Sequence, residues 1–179
     1  MAVISTLYVT GYRNFELGIF QEQDEKITRI KKVLTLRLRQ YLAEGLNWVL
    51  VSGNLGVEMW VVDVCQELKE EYPQLQVGLI YPFQDFGSQW KENNQLKKQQ
   101  MESLVDYQNA TSHQAYQNPS QLRAHTQFLL EHSQGALLVY DEEFPGKTRY
   151  FYQTARDYEK NFPYQIETIS FDDLQNYEE

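Results

Sequence analysis

The chain has 179 residues, 42% of them hydrophobic and 14% aromatic, which is enough for one sizeable core and too few residues for two comfortable domains. Lys and Arg number 16 against 25 Asp and Glu, a net charge of −9. Such a surface repels a phosphodiester backbone and disfavours broad nucleic-acid binding, but it leaves room for one small nucleotide in a local site.

Cys65 is the single cysteine, so there is no internal disulfide framework, and its place among valines reads as a small buried hydrophobe. The opening residues show neither the basic region nor the apolar run of a signal peptide. No stretch approaches the roughly 18 apolar residues of a membrane span. The expected location is the cytoplasm.

Leu7–Thr10 is a short β-rich run that ends at Gly11, and an irregular stretch follows to Gln21. Ile27, Ile30, Leu34, Leu38, Tyr41 and Leu42 then recur at spacings of three and four, which predicts a long helix with one stripe against a sheet, stopped at Gly45. Trp48–Ser52 is the clearest buried strand. It runs through Gly53-Asn-Leu-Gly56 into a second helix with Val57, Val61, Val64, Cys65 and Leu68 inside, ended by Pro73.

Val77–Tyr81 reads as the third strand. A polar helix is predicted over about Asn93–Val105, with a short strand near Ala110–Ser112. Pro119 opens a further helix with Leu122, Phe128 and Leu129 as inner residues. Gly135–Tyr140 is a strongly apolar strand, followed by a helix over roughly Arg149–Lys160 and a strand over Tyr164–Ile169. The acidic tail Phe171–Glu179 is expected to fray in part. Strands that alternate with helices and read as continuous apolar runs predict one α/β domain spanning residues 1–179. It is Rossmann-like, with a mostly parallel sheet and helices on both faces.

In such a sheet ligands sit beyond the carboxyl ends of the strands, near the point where strand order reverses. The candidate site residues are therefore those that follow each strand. They are Thr10, Gly11, Tyr12 and Arg13 after the first; Ser52, Gly53, Leu55, Gly56 and Glu58 after the second; and Phe83 after the third. His113 follows the doubtful fourth, and Asp141 and Thr148 follow the fifth.

Gly53 and Gly56 are expected to let the backbone turn sharply and approach a ligand, beside the free N–H groups of the helix that follows. A bulky residue at either is then expected to abolish ligand binding without unfolding the chain. Arg13 is the cation best placed for a phosphate. Glu58 supports two readings: it caps its helix, or it accepts hydrogen bonds from ribose hydroxyls while the phosphates lie nearer Arg13. The histidines have no metal-ligand spacing, so no metal is expected.

Val9-Thr-Gly-Tyr-Arg13, Phe15-Glu-Leu-Gly-Ile-Phe20 and Ser52-Gly-Asn-Leu-Gly-Val-Glu-Met-Trp60 closely resemble the YpsA-like family, as do Trp90-Lys-Glu92 and Leu137-Leu-Val-Tyr-Asp141. That family is placed in the Rossmann-like SLOG superfamily, whose relatives include the DNA-processing protein DprA and the cytokinin-activating phosphoribohydrolases. The resemblance implies a nucleotide-derived ligand such as ADP-ribose or NAD, with no further cofactor required, and a link to control of cell division. The hydrolases carry Pro-Gly-Gly-x-Gly-Thr-x-x-Glu. Here Ser52 precedes Gly53, Asn54 replaces a glycine, and Glu58 follows Gly56 by two residues.

Three functions follow. The first is a regulator that binds a small-molecule nucleotide without turnover, with a protein partner or a homo-oligomer as its outlet. The second is an N-glycosidic hydrolase with Glu58 at its centre. The third is an interaction module with a vestigial cleft. The absence of a convincing acid–base pair favours the first.

Overall fold

The computed structural model describes residues 3–177 as one six-stranded sheet with every strand parallel, in the order β4-β3-β2-β1-β5-β6. The strands are β1 (Thr6–Gly11), β2 (Trp48–Val51), β3 (Gln76–Tyr81), β4 (Tyr107–Ala110), β5 (Gly135–Val139) and β6 (Gln165–Ile169). Helices α1 (Glu25–Ala43), α2 (Val57–Leu68) and α3 (Glu92–Leu104) connect successive strands outward from β1. Right-handed crossovers put all three on one face. Helices α4 (Ser120–Glu131) and α5 (Thr148–Glu159) run back the other way and cover the opposite face. The predicted doubly covered Rossmann-like α/β domain is the observed one.

The order reverses between β1 and β5, whose registers pair Leu7 with Gly135 through Gly11 with Val139. Both strands are buried almost throughout. Continuous apolar sequence in these two strands and in β2 follows from burial on both faces.

The edges explain where the sequence reading slipped. β4, expected at Ala110–Ser112, lies at Tyr107–Ala110 with Tyr-Gln-Asn-Ala exposed or half-buried. A polar edge strand carries no alternation to find, and its ladder partner is what defines it. In α4 the inner face is His125, Leu129 and Leu130, while Leu122, 43% exposed, lies outside the core and lines the cleft at the carboxyl ends of the strands.

The segment expected to fray forms a helix instead, α6 (Phe171–Gln175). Ser170 caps it by accepting from the Asp173 N–H at 3.1 Å, and Asp173 accepts from the Ser170 N–H at 2.9 Å. Phe171 stacks on Tyr12 with ring centroids 5.3 Å apart, and Leu174 is buried. Glu178 and Glu179, the end of that expected tail, lie outside the described residues.

Among the described residues no helix is long and apolar enough to cross a membrane. Cys65 is fully buried, and burial pushes its thiol up to about 12, which leaves it a packing residue.

His125 is also buried, with Nε2 2.8 Å from the Ile80 carbonyl, and burial lowers its pKa from 6.5. The unfolded chain therefore takes up this proton at higher pH than the folded one. The stability His125 contributes is complete above the ordinary histidine range and is lost as pH falls through the lowered folded value. We expect the melting temperature to drop from pH 7 to about pH 5, and His125→Gln to flatten that slope. Equal slopes in the two proteins would show that other groups set it.

Candidate functional site

The β2–α2 loop is built around one carboxylate. Glu58 lies in the first turn of α2 and is completely buried. Its Oε1 accepts the Ser52 N–H at 2.8 Å and the Asn54 N–H at 3.0 Å. Its Oε2 accepts the Tyr8 hydroxyl at 2.9 Å, the Thr10 hydroxyl at 2.7 Å and the Asn54 side-chain amide at 3.2 Å. The Tyr8 oxygen also lies 2.9 Å from the Ser52 Oγ. Burial first, then the Glu58 charge, holds the Tyr8 hydroxyl well above the ordinary phenol range, so it remains a donor.

The loop amides that could have cradled a phosphate are thus spent on the protein's own carboxylate. Thr10, Ser52 and Glu58 form a sealed network that joins β1, β2 and α2.

The two glycines serve the same loop. Gly53 has φ +90°, and a Cβ there would meet the Tyr81 ring at 2.3 Å. Gly56 has φ +94°, and a Cβ there would lie 2.6 Å from both the Tyr12 carbonyl and the Asn14 nitrogen. Both positions need the left-handed region and both press on protein atoms, so the expected space for a ligand is filled by the fold itself. The α2 N-terminus meets the β1 loop, with the Val57 N–H donated to the Tyr12 carbonyl at 3.1 Å.

Above this layer an open cleft of about 430 Å³ crosses the carboxyl ends of the strands. Every strand from β1 to β5 sends it something. The β1 loop supplies Arg13 and Phe15, and the β2 loop supplies Asn54 and Leu55. Phe83, Phe86 and Trp90 follow β3, Tyr116 follows β4, and Lys147 follows β5.

The aromatic side chains form one continuous wall. Phe83 is 5.1 Å from Tyr116 and 5.5 Å from Phe86, and Phe86 is 5.5 Å from Trp90, measured between centroids. Two cations, Arg13 and Lys147, line the same cleft. Glu16, in a 3-10 helix over Asn14–Leu17, holds their backbones together by accepting the Arg13 N–H at 2.8 Å and the Lys147 N–H at 2.9 Å. The Lys147 ammonium lies 5.6 Å over the Phe15 ring.

The predicted residues therefore divide. Arg13, Leu55 and Phe83 line this cleft. Thr10, Gly11, Ser52, Gly53, Gly56 and Glu58 lie in the packed layer below it. Tyr12 is core, its hydroxyl donating to the Phe144 carbonyl at 2.8 Å and accepting the Asp141 N–H at the same distance. Asp141 accepts from the Phe171 and Glu143 amides. Thr148 is buried at the start of α5, and among the described residues its hydroxyl has no hydrogen-bond partner. His113 is exposed and does not line this cleft.

Asn54 and Phe86 were not singled out as site residues from sequence, and Lys147 stood only within the run Gly146-Lys-Thr148 that follows the fifth strand. The spacing of Phe83, Phe86 and Trp90 was the available signal for the wall. Among the described residues no cluster of His, Cys, Asp and Glu could hold a metal ion.

Comparison with known proteins places this architecture. The YpsA family model, described as the YspA SLOG family, matches residues 7–174. A UPF0398 protein of Enterococcus faecalis is 57% identical over 98% of both chains. A UPF0398 protein of Leuconostoc citreum is 43% identical over 97% of this chain and 92% of its own, and one from Lactiplantibacillus plantarum is 40% identical over 96% and 91%. The match spans all six strands and the whole of both loop layers, and the chain belongs to the YpsA SLOG family.

Proposed function

We propose that this protein binds a nucleotide derivative in the cleft above the strands, without turning it over, and acts as a regulator. The observation that carries the reading is the pairing of Arg13 and Lys147 with an aromatic wall in one cleft of about 430 Å³. A base stacks on Phe83 or Tyr116, each such contact worth about 1–3 kcal/mol. The phosphates face Arg13, whose guanidinium suits two oxygens at once, and Lys147. They keep away from the α2 N-terminus, where the Glu58 carboxylate already sits.

Among the described residues no Asp or Glu lines this cleft. Cleavage of an N-glycosidic bond needs charge stabilisation at the sugar, and Glu58 is sealed below the floor. Binding is therefore the better-supported activity. ADP-ribose and NAD are the ligands the family resemblance suggests, and cell division is the process it suggests.

Calorimetry with ADP-ribose, NAD and AMP tests this. Saturable binding to the wild type is expected, with Arg13→Ala and Lys147→Ala each weakening it about tenfold through loss of a charge-assisted contact. A ligand at one hundred times its dissociation constant should also add about 2.7 kcal/mol of stability. Binding that is indifferent to both substitutions would place the ligand elsewhere, and release of free base in proportion to protein would restore the hydrolase.

A further inference from the structure

The floor of the nucleotide cleft presents one fixed acceptor. Both N–H groups of Asn54 are spent on Glu58: the backbone amide donates to Oε1 at 3.0 Å, and the side-chain Nδ2 donates to Oε2 at 3.2 Å. Glu58 Oε2 already accepts two hydroxyls, so the nitrogen of the Asn54 side chain, and not its oxygen, must face it. Asn54 Oδ1 is thereby turned away from Glu58. It accepts no hydrogen bond within the described residues, and it is not closed off from solvent: the buried side-chain atoms left without a partner are Asn14 Oδ1 and Thr148 Oγ1. Asn54 is half-buried, and it lines the cleft.

The place of this acceptor follows from strand order. Across the carboxyl edge of the sheet the loops come in the order β4, β3, β2, β1, β5. The stacking rings of Tyr116 and Phe83 follow β4 and β3, and the cations Arg13 and Lys147 follow β1 and β5. Asn54 follows β2, between the two groups. Neighbouring strands lie about 4.8 Å apart, so one strand step separates it from the rings and one from the cations. A nucleotide has the same order of parts: base, sugar, phosphate. Of the described side chains that line the cleft, only those of Asn54 and Tyr116 carry an oxygen, and Tyr116 stands on the base side. The middle of the cleft therefore offers an acceptor whose own donors are already used, and that suits a hydroxyl group.

We propose that Asn54 Oδ1 accepts a hydrogen bond from a ribose hydroxyl, and that the cleft selects nucleotides with an intact ribose diol over their deoxy counterparts. This rests on the nucleotide reading and names the part of the ligand that reading leaves open. Glu58 is then a positioning residue: sealed beneath the floor, it never meets the sugar, and it holds the amide that does. Because both N–H groups of Asn54 are anchored, its oxygen is set before the ligand arrives, and little rotamer freedom is lost on binding. A deoxy sugar leaves that acceptor unpaired in the complex.

Calorimetry on the full chain with ADP, 2′-deoxy-ADP and 3′-deoxy-ADP tests this. The wild type should bind ADP about tenfold more tightly than at least one deoxy compound, and the weaker of the two identifies the hydroxyl that is read. Asn54→Ala should bind ADP about tenfold more weakly and no longer separate it from that deoxy compound. A merely structural asparagine would lower the affinity for all three alike and keep their ratio as in the wild type; that result overturns the inference. Equal binding of all three to the wild type overturns it too. That comparison needs no variant, so it stands even if Asn54→Ala loses stability with its Glu58 contact. Saturable binding without sugar preference leaves the nucleotide reading in place. If ADP does not bind at millimolar concentration, the inference fails whether or not ADP-ribose or NAD binds; the nucleotide reading fails only if those two do not bind either.

Discussion

Glu58→Ala is expected to remove a third or more of the protein's net stability. The alanine leaves the Ser52 and Asn54 amides and the Tyr8 and Thr10 hydroxyls facing each other with no acceptor in a fully buried space. Each stranded buried donor costs about 1–3 kcal/mol. Tyr8 and Ser52 can still bond each other, so the sum falls on the order of 5 kcal/mol, against a typical total of about 5–15 kcal/mol.

Glu58→Gln should cost less, about 1–3 kcal/mol. Its carbonyl can keep the two amides while its NH₂ turns to the hydroxyls, which can accept. Urea unfolding followed by circular dichroism should therefore rank wild type above Gln and Gln above Ala. A loss below about 1 kcal/mol in the Ala variant would show that the network is dispensable, and would free Glu58 for work on a ligand. The same reasoning bears on any assay that uses a Glu58 variant as a catalytic control, because such a variant reports on folding first.

Gly56→Ala is the second large effect. The left-handed φ costs about 1–3 kcal/mol for a residue with a Cβ. The Cβ also lands 2.6 Å from the Tyr12 carbonyl and the Asn14 nitrogen, so the β1 loop must move, at about 1–3 kcal/mol more. Gly18 is the internal comparison: its φ is +67°, and a Cβ there meets nothing within 4 Å. Gly18→Ala should cost about 1 kcal/mol, from backbone strain alone.

Melting temperatures of the two variants separate strain from collision. If Gly56→Ala were no worse than Gly18→Ala, the close contact between the two loops would not hold in solution. Because Arg13 lies in the displaced loop, Gly56→Ala should also weaken ligand binding in the upper cleft, by moving a cation rather than by filling the cleft.

These effects mark where sequence reasoning stopped. Gly53, Gly56 and Glu58 stood out in the sequence, since a glycine on each side of a βα turn and an acid in the first helical turn are unusual demands. Their purpose was not legible. Two of the five donors to Glu58 come from Tyr8 and Thr10, some 50 residues earlier, and the atoms nearest a Cβ on Gly53 belong to Tyr81. Both are long-range facts of packing. The place of Lys147 beside Arg13 was hidden for a similar reason: the Glu16 carboxylate, 131 residues away in sequence, draws its backbone there.

The sequence by itself determined the class and order of the elements. Uninterrupted apolar runs such as Val49–Val51 and Ala136–Val139 are strands buried on both faces, and the three-and-four spacing of Ile27, Ile30, Leu34 and Leu38 is a helix laid on a sheet. Those signals are local, set by the period of each element, and they survive without knowledge of neighbours. Only the tertiary structure decided that Tyr107–Ala110 pairs with β3 and that Phe171–Gln175 folds onto Tyr12. It alone decided, too, which loop residues face a cleft and which are sealed beneath it. Each of these depends on a partner distant in sequence. A polar edge strand, a short capped helix and a buried carboxylate all draw their stability from that partner rather than from their own pattern.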